Sequence, residues 1–187
     1  MPIATDLNVR DDLKSKTVEE IVCIQAEACL PYAIAVINVN GDLNLGMMMR
    51  SGVLFAAERM LTFGKKRYDR RSTVGAHNYI ELVQIESELE GHVVPRAVFD
   101  EAMNHYGYQP VFMENSGQDI NLFDFTGVVA SGKKPCLVFG NEGYGIPDSF
   151  IGNDPCVKIK QLGVMRSLNV SAACAIACHV CATQLSS

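Results

Sequence analysis

The 187-residue sequence predicts an α/β domain built on a mostly parallel sheet with helices on both faces. Three observations carry this. Short apolar runs such as "YAIAVINV" and "CLVFG" are continuous rather than alternating, as strands buried on both faces are. They alternate with longer segments of helical periodicity. Third, a 48% apolar composition without internal repeat or low-complexity linker supplies one sizeable core.

The elements follow in order. Residues 12–29 form an amphipathic helix whose apolar face carries Leu13, Val18, Ile21, Val22 and Ile24, with Gln25 beside them. "YAIAVINV", Tyr32 to Val39, is a buried strand between Pro31 and Gly41. A helix runs from Asn44 to about Ala57, and "RMLTF" is a second strand ended by Gly64. A less regular stretch leads to Pro95, which opens the helix "PRAVFDEAMNHYG", with Gly107 just past its end. "QPVFME", "KPCLVFG" and "PCVKIK" are the third, fourth and fifth strands. The chain closes with the helix "SLNVSAACAIACHVCATQL", capped by Ser167 or Asn169. Residues 1–30 read as an N-terminal helical extension and 31–187 as the α/β domain.

Composition narrows the classes of function. No apolar run reaches the ~18 residues of a transmembrane helix, and Asp6, Arg10, Asp11 and Asp12 leave no signal core, so neither a membrane nor export is expected. Seven dispersed cysteines, an odd number, fit reduced thiols in a cytoplasmic protein. The formal charge of −5 argues mildly against nucleic acid, but "GKKRYDRR" places five cations and one anion in eight residues. A local basic site therefore stays open.

Three glycine-bearing loops are candidates for one ligand site, because ligands of such sheets sit at the carboxyl ends of strands. "NLGMMMRSG" places Asn44, Gly46 and Arg50 at a loop–helix junction, where a helix start can face an anion. "FGNEGYGIP" breaks the fourth strand with three glycines in the six residues from Gly140 to Gly145. "IKQLGVMRSLNVS" ends a strand, turns at Gly163 and starts a helix. None matches a phosphate-binding pattern, and Glu142 is poor company for a phosphate. The middle loop suits a neutral or cationic ligand held through backbone groups.

In this order the three stretches resemble the motifs of the SpoU-type (TrmH-like) RNA 2′-O-ribose methyltransferases of the SPOUT superfamily, over about four-fifths of the chain from Tyr32. The resemblance implies a SPOUT methyltransferase domain over 31–187, with a C-terminal deep trefoil knot formed by the loops after the fourth and fifth predicted strands. It implies S-adenosylmethionine as cofactor, with contacts at Met113, Gly140, Glu142, Gly145, Ile159, Ser167 and Leu168. It also implies a homodimer, for which the small, apolar last helix offers a close-packing surface, and an RNA substrate, transfer RNA before ribosomal RNA. Arg50 would activate the ribose hydroxyl, either in a relay with an RNA phosphate or by orienting that phosphate. Asn44, Glu142, Ser167 and Asn169 would complete the catalytic set, Asn44 by bracing the neighbouring loops. The basic loop of Lys65, Lys66, Arg67, Arg70 and Arg71 is the candidate for the RNA backbone, with Tyr68 available to stack on a base.

Two departures from the family's usual motifs stand out. Lys160 and Gln161 follow Ile159 where Pro and Met are common, and Met47 and Gly52 replace frequent alanines. Neither removes a residue of the catalytic set. Cys174, Cys178 and Cys181 share a helix face near His179, but one helix seldom supplies three zinc ligands, so they read as packed core and no metal is expected. His77, His92 and His105 take no role. The competing functions are a ribosomal-RNA methyltransferase, a non-catalytic knotted RNA-binding protein and a nucleotide-binding protein of ordinary doubly wound topology.

Overall fold

The computed structural model describes residues 8–39, 41–64 and 68–187. Among them are six strands: β1 Leu30–Ile37, β2 Ala57–Phe63, β3 Glu81–Ile85, β4 Tyr108–Asp119, β5 Lys134–Phe139 and β6 Cys156–Lys158. The helices are α1 Val18–Ala28, α2 Asp42–Leu54, α3 Arg70–Thr73, α4 Arg96–Tyr106, α5 Phe125–Ala130, α6 Asp148–Ile151 and α7 Val170–Leu185. Every strand pairing is parallel, and the sheet order is β3-β2-β1-β5-β4-β6.

The continuous apolar strands divide their side chains between two cores. On β1, Tyr32, Ile34 and Val36 face a cluster built with Leu45, Met48 and Met49 of α2 and Cys174, Ala177, Cys178 and Cys181 of α7. The intervening Ala33, Ala35 and Ile37 face Phe99 and Met103 of α4 and Phe150 and Ile151 of α6. Period-two side chains with both faces covered explain why the run shows no polar alternation. The three clustered cysteines are fully buried core residues of α7.

Local chemistry sets the helix ends. Thr17 and Glu20 form a capping box, the Thr17 hydroxyl accepting from Glu20 N and the Glu20 carboxylate accepting from Thr17 N at 2.7 Å. That box starts α1 at Val18, so the expected helix over 12–29 is shorter and is preceded by a separate 3₁₀ turn, Asp11–Leu13. The helix expected over residues 44–57 likewise runs two to three residues earlier, as Asp42–Leu54. Pro95 and Gly107, the latter at φ +72°, bound α4 as expected. Of the two candidate caps of the last helix, Asn169 fills the role.

Five strands were expected and a sixth, β3, lies in the acidic stretch after the basic loop. The chain runs from β1 outwards through β2 to β3, then crosses to the other side of β1 as β4, inserts β5 between β4 and β1, and ends with β6 outside β4. The reversal lies between β1 and β5, the kind of place where α/β sheets open a crevice. Beyond Met113 the strand β4 departs from its ladder: Met113 and Gln118 both pair with Val157, so residues 114–117 bulge. Gly117 permits this, since a Cβ there would lie 2.5 Å from the Cys156 carbonyl carbon and from Val157 N. No helix among the described residues is long and apolar enough to cross a membrane.

Candidate active site

At the carboxyl ends of β4, β5 and β6 the chain encloses a cleft of about 540 Å³, within the range of small-molecule sites. Its walls come from the bulge of β4, the glycine loop after β5 and the segment between β6 and α7. Met113, Gly140, Glu142, Gly145, Ile159, Ser167 and Leu168, the seven residues expected to meet a cofactor, all line it.

The glycine loop is closed by its own backbone. Gly140 is buried, and a Cβ there would lie 2.7 Å from the Gly145 carbonyl carbon and 2.5 Å from Ile146 Cγ1. Gly145 has φ +66°, a conformation costly for any other residue. Between them Asn141, only 4% exposed, fixes the turn. Its Oδ1 accepts from Gly143 N at 2.9 Å and Tyr144 N at 3.2 Å, its carbonyl accepts from Gly145 N, and its Nδ2 donates to Asn38 O at 2.8 Å. Across the loop, Glu114 Oε1 accepts from Ile146 N at 2.7 Å. Burial pushes the Glu114 carboxyl above its ordinary value, against the pull of the Ile146 and Asn115 N–H groups.

One chain of side-chain hydrogen bonds joins all three motif loops. Glu142 Oε1 accepts from Asn44 Nδ2 at 2.8 Å and from Gly41 N at 3.1 Å. Asn44 Oδ1 then accepts from Asn169 Nδ2 at 3.2 Å. Asn169 Oδ1 caps α7, accepting from Ser171 N at 2.9 Å and from Ala172 N. The direction is forced. An ionised Glu142 only accepts, so Asn44 must turn its amide nitrogen to it and its oxygen to Asn169.

Arg50 does not line the cleft. It is exposed on α2, about two turns along from Gly41, in one stripe with the exposed Leu43, Met47 and Leu54. Its side chain makes no hydrogen bond or ion pair among the described residues. Of the basic loop, Lys65, Lys66 and Arg67 lie outside the described residues. Arg70 and Arg71 open α3, which packs on α2 so closely that a Cβ on Gly46 would lie 1.8 Å from Ser72 Oγ. Arg71 pairs with Asp69 at 2.8 Å. Arg70 Nη2 meets His77 Nε2 at 2.8 Å, while His77 Nδ1 meets Thr73 Oγ1 at 2.7 Å. Because guanidinium only donates, Nε2 is the acceptor and the imidazole is the Nδ1–H tautomer. Burial and the Arg70 charge hold the His77 pKa below its ordinary value.

Sequence reasoning missed Asn38, Glu114 and Asn141 as site residues. Two had a signal: Glu114 is a lone acid ending an apolar run beside Met113, and Asn141 heads a glycine-rich turn, where Asn commonly folds back on its own backbone. Asn38 had none, because its role depends on the distant His92 and Asn141.

Residues 31–179 match the model of the SpoU rRNA Methylase family. The chain is 32% identical over 77 residues to the tRNA (guanosine(18)-2′-O)-methyltransferase of Saccharomyces cerevisiae, 39% of this chain and 5% of that protein. It is 28% identical over 138 residues to the mouse tRNA (guanosine(18)-2′-O)-methyltransferase TARBP1, 71% of this chain and 8% of that protein. The chain thus spans a small part of the length of these curated relatives. Among solved structures, the A. aeolicus TrmH/SpoU tRNA modifying enzyme superposes with a TM-score of 0.71 at 18% identity, covering 89% of this chain and 81% of that one. The methyltransferase AviRb of Streptomyces viridochromogenes, solved in complex with AdoMet, gives 0.66 at 22% identity, covering 86% and 60%.

Proposed function

Since the chain belongs to the SpoU rRNA methylase family, we propose that it transfers a methyl group from S-adenosylmethionine to a ribose 2′-hydroxyl in RNA, with transfer RNA as the substrate. The observation that carries this reading is the Glu142–Asn44–Asn169 chain, which fastens three loops together beside a glycine-walled cleft. The transfer-RNA preference is supported by the activities for which the two curated relatives are named.

The residues present fit the cofactor. Gly140 and Gly145 let the loop fold tightly against Ile146 and Glu114, where a Cβ would clash, so backbone of the loop forms part of the cleft wall. Glu114 and Glu142 suit a cationic sulfonium, and Lys158 and Arg166, also in the walls, suit a carboxylate. When bound, S-adenosylmethionine supplies an electrophilic methyl group. The protein's own work is alignment of the attacking oxygen and care of its proton. Arg50 is permanently charged, so it acts by orienting an RNA phosphate and stabilising the developing charge on the 2′-oxygen, or in a relay through that phosphate. Its exposure and lack of a partner among the described residues support this reading. Arg70, steadied by His77, and Arg71 would add to the positive surface on the same side of α2, with Lys65, Lys66 and Arg67 in the same stretch of chain.

The protein is further read as a homodimer working in the cytoplasm. The exposed stripe of Leu43, Met47 and Leu54 on α2 and the exposed Ile176 on α7 support the dimer, because α2 and α7 are packed neighbours. The knot expected of this fold would involve the loops after β5 and β6, which are those that wall the cleft. Titration calorimetry with S-adenosylmethionine, followed by methyl transfer to unmodified transfer RNA and ribosomal RNA in competition, tests the reading. Binding with preferential labelling of transfer RNA is expected; binding with ribosomal RNA alone labelled would reverse the substrate assignment.

A further inference from the structure

Tyr144 and His92 form a face-to-face ring pair with centroids 3.4 Å apart and planes 8° from parallel. Both residues are exposed, Tyr144 to 67%. The pair is not a core contact, and direct sandwiches are the least favoured aromatic arrangement. What holds it is the loops, and both loops are fastened to one residue. Asn38, at the carboxyl end of β1 with φ +49°, donates from Nδ2 to His92 O at 3.3 Å, and its carbonyl accepts from Asn141 Nδ2 at 2.8 Å. Asn141 in turn sets the turn that carries Tyr144. The result is an aromatic surface prearranged in water.

Its position says what it serves. Tyr144 lines the cleft and His92 does not, so the pair leads from the rim outwards. Tyr144 also stands two residues from Glu142, the acceptor tied to Asn44 on the helix of Arg50. We propose that the Tyr144–His92 pair is a stacking site for an unpaired nucleobase of the RNA substrate, a proposal that rests on the RNA methyltransferase reading above. A base offers a π-face that an exposed aromatic ring can take whatever its sequence. A phosphate is disfavoured here, since Glu88 and Glu90 precede His92 in its loop. The site thus selects a nucleotide outside a duplex, because a paired base has both faces covered by its neighbours.

The test uses the full chain with Tyr144→Ala, His92→Ala and Tyr144→Phe. Methyl transfer to a pool of unmodified transfer RNA gives KM for RNA, and calorimetry gives the affinity for S-adenosylmethionine. A stem–loop RNA with 2-aminopurine in its loop reports stacking by fluorescence quenching without turnover, in a protein that has no tryptophan. Tyr144→Ala is expected to raise KM for RNA about tenfold or more, with cofactor affinity within twofold of wild type and quenching lost. His92→Ala gives a smaller rise, and Tyr144→Phe restores both KM and quenching. An unchanged KM in Tyr144→Ala, or equal quenching by wild type and Tyr144→Ala, would overturn the site. A loss confined to cofactor affinity would assign the ring to the adenine of the cofactor instead and overturn it too. If wild type transfers no methyl group yet quenches in a Tyr144-dependent way, the methyltransferase reading fails and the base site stands.

Discussion

Asn44 has two side-chain partners and both belong to other loops, so its removal separates the motifs without touching any core. A hydrogen bond to a charged group is worth about 1.5–3 kcal/mol. Asn44→Ala should therefore lower kcat/KM for RNA by at least about tenfold and, the bond being at an exposed site, lower the melting temperature by only a few degrees, as steady-state kinetics and thermal melts would register. Gly140→Ala acts by shape. A methyl 2.7 Å from the Gly145 backbone must push the loop outward, at a cost of about 1–3 kcal/mol, and calorimetry should find cofactor binding abolished. Glu114 gives a pH signature. Burial raises its folded-state pKa, so its contribution to stability is fully present below the unfolded value of about 4.3 and is lost as pH rises through the folded value. Glu114→Gln keeps the acceptor for Ile146 N and does not titrate. Its melting temperature should exceed that of wild type at pH 7, with the gap closing towards pH 4; a gap independent of pH would refute the assignment.

At the scale of elements, Asn169 both caps α7 and donates to Asn44, and two variants separate those duties. Asn169→Ala loses the cap, at about 1 kcal/mol, along with the link. Asn169→Asp keeps the cap but sets a carboxylate against Asn44 Oδ1. Melts should place Asn169→Asp close to wild type and Asn169→Ala below it, with methyl transfer impaired in both. What could be read from the residues follows the same logic. β1 and β5 carry continuous apolar runs because both their faces are covered, and α4 carries its own Pro and Gly punctuation. β3 escaped notice because it is an edge strand, half covered, with glutamates at its start and just beyond its end. The short α3, α5 and α6, four to six residues each, are too brief to show a helical period. The cleft residues were legible through motif order, whereas the hydrogen-bond chain among them was not. It spans 125 residues of sequence from Asn44 to Asn169, and nothing local announces a partner at that distance.

For the whole molecule, the parallel sheet places the three motif segments at the carboxyl ends of its strands and leaves the outer stripe of α2 exposed. Sedimentation should give a dimer for the wild type, and Leu54→Glu, at an exposed stripe position outside the cleft, should shift it towards monomer and weaken methylation together. The central claim is that Arg50, standing outside the cofactor cleft, works on the RNA side of a methyl transfer. The measurement that bears on it most directly is radiolabelled transfer from S-adenosylmethionine to unmodified transfer RNA, with nucleoside analysis of the product, for wild type and Arg50→Ala. The account predicts label in a 2′-O-methylated nucleoside, lost in the variant while its affinity for S-adenosylmethionine is unchanged. Label in a base, or equal transfer by Arg50→Ala, would contradict it.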